Sequence, residues 1–105
     1  MSAWRRSKEY RHWRIAVIRR DGVCQICGSL ENRHAHHLED ASNHKELRFD
    51  VDNGVTLCRR HHTMFHTSFK NSYRAVCHRK DFLNFKELYE KLKEEFLGET
   101  DEKLL

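Results

Sequence analysis

The chain has 105 residues, of which only 38% are hydrophobic and 34% charged, so one small domain with a thin core is expected. Nine histidines, four cysteines and no proline stand out in the composition, with a net charge of +4. No apolar run approaches the roughly 20 residues of a membrane span, and Trp4-Arg5-Arg6 leads into more charge rather than a secretory segment, so the expectation is a cytoplasmic protein, without a membrane, whose reduced cysteines favour metal over disulfides.

Charge is unevenly spread. Arg5, Arg6, Lys8, Arg11, Arg14, Arg19 and Arg20 crowd the first segment, whereas Glu87, Glu90, Glu94, Glu95, Glu99, Asp101 and Glu102 dominate the last. A polyanion is attracted to the first part and repelled by the end. Ser7 is the expected N-cap of a helix from Lys8 to about Arg20, in which Tyr10, Trp13 and Val17 form an apolar stripe widened by Ile15 and Ile18. Gly22 suits the left-handed position that ends it.

Cys24-Gln25-Ile26-Cys27-Gly28 has the form of a zinc knuckle, and Cys58 with His61 completes a Cys3His set for a structural Zn2+. Residues 33–38 read as a short strand that places His36 and His37 on opposite faces. A long polar loop follows over 39–52, with one helical turn near Lys45 to Arg48. Val55-Thr56-Leu57 reads as a second strand, and residues 58–66 as a helix of about two turns. In that helix Cys58 and His61 form one i,i+3 pair and His62 and His66 one i,i+4 pair, on different sides. Residues 68–80 mix Lys70, Arg74, Arg79 and Lys80 with Phe69 and Tyr73, a pattern suited to a nucleic-acid backbone or to a solvated loop. Cys77 and His78 have no matching pair and read as non-ligands. The last helix is capped by Asp81, carries Phe82, Phe85, Leu88 or Tyr89, Leu92 and Phe96 at helical spacing, and ends at Gly98 before a frayed tail.

Once the knuckle is satisfied, His36, His62 and His66 remain to hold one divalent ion with an open position. His37 is left beside them as a base with an ordinary pKa of about 6.5. An ion that stabilises charge next to such a base is what phosphodiester hydrolysis needs.

These motifs, from Trp13 through Arg20-Asp21-Gly22, Cys24/Cys27, His36-His37-Leu38, Asn53-Gly54-Val55-Thr56-Leu57-Cys58 and His61-His62 to His66, resemble those of the HNH nucleases, most of all the small phage endonucleases with a zinc knuckle. The resemblance implies a small α+β fold: a zinc-stapled ββα-metal motif flanked by an N-terminal basic helix and a C-terminal amphipathic helix. It implies one domain over residues 1–105, with the basic helix to 22, the knuckle and metal core over 23–67, and a loop and helix over 68–105. It implies a metal-dependent DNA endonuclease that leaves 5′-phosphate and 3′-hydroxyl ends, working in a bacterial host if phage-encoded. By the same resemblance His37 is the general base, Asn53 orients it or braces the loop, and His62 binds the catalytic ion (Mg2+, Mn2+, Ni2+ or Zn2+). His36 replaces a frequent aspartate, which suits transition metals better than magnesium. His66 is a third ligand or a phosphate contact, and His34 is the rival of His36. Arg11, Arg14, Arg19, Arg20, Arg59, Arg60, Lys70 and Arg74 are the expected DNA contacts, in a monomer or homodimer. The alternative is a non-catalytic zinc module that binds nucleic acid.

Overall fold

The computed structural model describes residues 3–70 and 76–104, with the side chains of 68, 69 and 95–104 excepted. Tyr73 and Arg74 and the side chains of Phe69 and Phe96 therefore lie outside the described residues. Among the described residues, three α-helices and a two-stranded antiparallel sheet make a small α+β fold.

A 3-10 turn, Ala3–Arg6, leads into α1, Lys8–Asp21. The Ser7 hydroxyl accepts the Tyr10 N–H at 3.1 Å, and Gly22 closes the helix at φ 75°, a left-handed value that costs glycine little. Trp13 and Val17 are buried as the stripe requires, but Ile15 is 50% exposed. Two residues beyond Trp13 is a rotation of roughly 200°, which puts Ile15 on the solvent side.

Strands β1 (Arg33–His37) and β2 (Gly54–Cys58) pair so that His37 lies opposite Gly54 and His36 opposite Val55. Alternation sends Ala35 and His37 toward α1, and His34 and His36 toward the other face. On the α1 side Trp13, Val17 and Ala35 form one small core. Gly54 lets the helix come this close: a Cβ there would stand 2.5 Å from Val17 Cγ2 and 2.9 Å from Trp13 Cζ2. Arg20 and Asp21 pin the helix end to β2. Arg20 Nη2 donates to the Gly54 carbonyl at 2.6 Å, and Asp21 Oδ2 accepts the Thr56 N–H at 2.8 Å.

The opposite face of the sheet packs Val55 and Leu57 against Phe65, Phe82, Phe85 and Cys77. Phe65 belongs to a π turn, Phe65–Phe69, that prolongs α2 (Arg59–Met64), so this helical stretch runs past the two turns expected. Helix α3, Arg79–Leu104, starts two residues before Asp81. Asp81 acts from inside the first turn, accepting the His78 N–H at 2.9 Å, instead of capping from outside. The helix also continues through Gly98, where the expected stop fails; one glycine costs about 1 kcal/mol, and the Lys, Glu and Leu run before it is strongly helix-forming. Phe82 and Phe85 are buried, but Leu88 and Leu92 are 48% and 57% exposed, so among the described side chains only the first part of the stripe is core. Among the described residues no helix is long and apolar enough to cross a membrane.

Candidate metal centres and the histidine cleft

The knuckle Cys24/Cys27 and the start of α2 bring Cys24, Cys27, Cys58 and His61 together, with all four ligand atoms within 4.8 Å of one another. Cys27 and Cys58 sulfurs are 3.8 Å apart, and His61 Nδ1 is 3.2 Å from Cys58 Sγ and 4.0 Å from Cys24 Sγ. Zinc–sulfur bonds of about 2.3 Å at tetrahedral angles imply sulfur pairs about 3.8 Å apart. Burial pushes the Cys24 thiol up, yet N–H groups of Cys27, Cys58 and Ile26 outweigh it and hold the thiol below its usual value. This cluster can bind a structural ion such as zinc. Tyr89 of α3 packs edge-on to His61, with ring centres 4.9 Å apart, and so ties the last helix to the centre.

A second group forms on the other side of α2. His62 and His66, one turn apart, meet His36 from β1, and their ligand atoms also fall within 4.8 Å. The Nε2 atoms of His62 and His66 are 3.1 Å apart. Two nitrogens bound at about 2.1 Å to one ion would be separated by about 3.0 to 3.4 Å for octahedral to tetrahedral angles. His36 Nε2 is buried and has no hydrogen-bond partner, an arrangement that costs about 1–3 kcal/mol unless an ion or water takes it up. Burial, then the neighbouring imidazoles, lowers the pKa of His36 well below 6.5 and that of His62 to about 4, and burial lowers His66 as well. All three are neutral at pH 7, the form in which imidazole ligates. The donor set fits one divalent transition metal. His34 lies beside His62, with ring centres 5.4 Å apart, but outside the cluster of three.

His37 faces the other way. Its ring lies flat on Trp13, with centroids 3.9 Å apart and planes 7° apart. Its Nε2 is 2.9 Å from the Arg48 carbonyl oxygen, which can only accept, so Nε2 carries the proton and Nδ1 the lone pair. The Trp13 indole N–H donates to the Asp50 carbonyl at 2.8 Å, so one loop fixes both rings. Burial, with Arg5 and Arg48 adding to it, lowers His37 to about 4, in place of the expected 6.5. The residue is neutral at pH 7 but a weaker base than a solvated histidine.

Asn53 does not touch His37 in the described contacts. It is buried at 2% exposure, its Oδ1 accepts the Glu39 N–H at 2.8 Å, and its Nδ2 donates to the Glu39 and Leu47 carbonyls at 2.9 and 3.2 Å. It closes the loop whose Arg48 carbonyl holds His37. Its hydrogen bonds brace that loop, and the group in contact with His37 Nε2 is the Arg48 carbonyl.

His37 and the His36, His62 and His66 cluster line one cleft of about 550 Å³, together with Arg5, Tyr10, Arg14 and Asp40. Arg11, Arg14, Arg19, Arg59 and Arg60 are exposed. Arg20, exposed as well, donates to Asp21 and to the Val51 and Gly54 carbonyls, and Lys70 pairs with Asp81 at 3.0 Å. Sequence spacing missed the roles of Trp13 and of the Arg48 carbonyl. The aromatic beside an amphipathic stripe reads as packing, and a carbonyl has no residue signature. No family model, curated protein or solved structure matches the chain.

Proposed function

We propose that the protein is a metal-dependent endonuclease of the HNH kind, hydrolysing DNA phosphodiester bonds. The observation that supports it best is the division of one cleft: three neutral imidazoles converge on one side, and His37, held in a single tautomer by the Arg48 carbonyl, stands on the other. In this reading the two strands and α2 make up a ββα-metal motif, with the Cys3His zinc as its staple.

His36, His62 and His66 would hold the divalent ion, which when bound supplies a Lewis acid for phosphate oxygens. With no carboxylate in the set, Mn2+, Ni2+ or Zn2+ suit it better than Mg2+. His37 takes a proton from water at Nδ1, while Nε2 stays bonded to Arg48. The resulting hydroxide attacks phosphorus and the bond to the 3′ oxygen breaks; the departing 3′ oxyanion takes a proton from solvent water, leaving 5′-phosphate and 3′-hydroxyl ends. Trp13 keeps the ring from rotating, and Arg14 and Arg59, exposed on α1 and α2, neutralise flanking phosphates. Incubating zinc-loaded protein with supercoiled plasmid and Mn2+, Ni2+ or Mg2+ is expected to yield nicked or linear DNA, and EDTA to abolish the reaction. Intact plasmid with every ion would contradict the proposal.

A further inference from the structure

On the His37 side of the cleft stand aromatic rings and guanidinium groups whose side chains the chemistry above does not use. Trp4, in the turn before α1, sets its ring edge-on to His37 at 5.7 Å and to Phe49 at 6.3 Å. The guanidinium carbons of Arg5 and Arg48 each lie 4.5 Å from the Trp4 ring centre. Trp4 is thereby engaged by cations, whereas Phe49, the next ring outward, is 38% exposed. Phe49 directly follows Arg48, whose carbonyl fixes His37, so its ring is held in register with the base by one peptide link. The nearest acid in sequence, Asp50, turns its carboxylate back to accept the Asp52 N–H at 2.9 Å.

An exposed phenyl ring beside a tryptophan that carries two guanidinium groups offers a π face and phosphate-neutralising charge near one another, the pairing used by surfaces that bind single-stranded nucleic acid. A base inside a duplex is stacked on both faces and cannot use such a ring; an unpaired base can. We propose that Phe49, with Arg5, seats an unpaired nucleobase next to the phosphate presented to His37, and that the preferred substrate is single-stranded or locally unpaired DNA. This rests on the endonuclease reading and narrows its substrate class.

The test is fluorescence anisotropy with zinc-loaded full-length chain and no other divalent ion, on a labelled single-stranded oligonucleotide and its duplex at one fixed salt concentration. Single strands are expected to bind more tightly than the duplex. Phe49→Ala should weaken the single-strand complex by about fivefold to a hundredfold, the range for loss of one stacked base, and leave duplex binding unchanged. Tighter duplex binding, or a Phe49→Ala variant that binds single strands as the parent does, would overturn the inference and leave the endonuclease reading intact. Failure to bind either form would overturn both. The exposure of Phe49 makes the variant compatible with folding, and its circular dichroism spectrum and zinc content should match those of the parent.

Discussion

Replacing Gly54 by alanine tests how the approach of α1 to the sheet builds the His37 pocket. The backbone at Gly54 is extended, φ −128° and ψ 152°, so alanine fits the conformation and would by itself stabilise by about 0.4–1 kcal/mol through the unfolded chain. Against this, the new methyl group would stand 2.5 Å from Val17 Cγ2 and 2.9 and 3.3 Å from two Trp13 ring atoms. Carbon atoms pack at about 3.5–4.0 Å, so α1 has to retreat by about 1 Å at this point. Val17 and Trp13 are 0% and 1% exposed and have nowhere to turn, which places the cost at about 1–3 kcal/mol. At the middle of both ranges overpacking outweighs the entropic gain, for a net loss of about 1 kcal/mol. The retreat also drags Trp13 off His37, so plasmid cleavage should fall further than the loss of stability explains. Urea denaturation of zinc-loaded parent and variant measures the first effect. Adding Val17→Ala should recover part of it, with a coupling of at least about 0.5 kcal/mol in a double-mutant cycle. A Gly54→Ala protein as stable as the parent, with undiminished cleavage, would refute the packing argument.

Asn53→Ala removes the partners of the Glu39 N–H and of the Glu39 and Leu47 carbonyls, and should cost at least about 2 kcal/mol in urea denaturation; a change under 0.5 kcal/mol would mean the loop is held elsewhere. Cys58→Ala, or chelation of zinc, should unfold the chain as seen by far-UV circular dichroism, because a structural zinc held by this cluster would contribute about 10–16 kcal/mol against a domain stability of about 5–15. An unchanged thermal transition in the variant would remove zinc from the account of the fold. Burial pushes the Asp21 carboxyl up, but hydrogen bonds from Arg20 and Thr56 outweigh it and hold it below the usual carboxylate range. Its contribution is therefore present above the unfolded pKa of about 3.9 and lost as pH falls through the lower folded value. The stability gap between parent and Asp21→Asn should be flat from pH 7 to 5 and close below 4, and a gap that widens in acid would reverse the assignment.

The parts of this molecule that a reader of the sequence can find are those written in side-chain type and spacing. Cys24, Cys27, Cys58 and His61 converge as their pattern demands, and so do His36, His62 and His66, because a hairpin and one short helix leave little freedom in where such residues go. What escaped is written in backbone or in tertiary burial. The group that holds His37 is a carbonyl, indifferent to the side chain of Arg48. The drop in the His37 pKa comes first from burial, under Trp13 and Tyr10, that no local window reveals. Arg20 sits among exposed arginines in sequence, yet its guanidinium reaches across to two carbonyls of another segment. Asp81 shows how one residue type serves at two positions: an aspartate is at home both before a helix and inside its first turn, and only the His78 N–H contact separates the two.

The most direct measurement is the rate at which His37→Ala nicks supercoiled plasmid, made with protein shown by native mass spectrometry to carry the same metal ions as the parent. If His37 is the base, the rate should fall by about 100- to 10,000-fold, the share that a positioned base supplies, with metal content and folding retained. A variant that still cuts within tenfold of the parent rate would show that His37 does not activate the water.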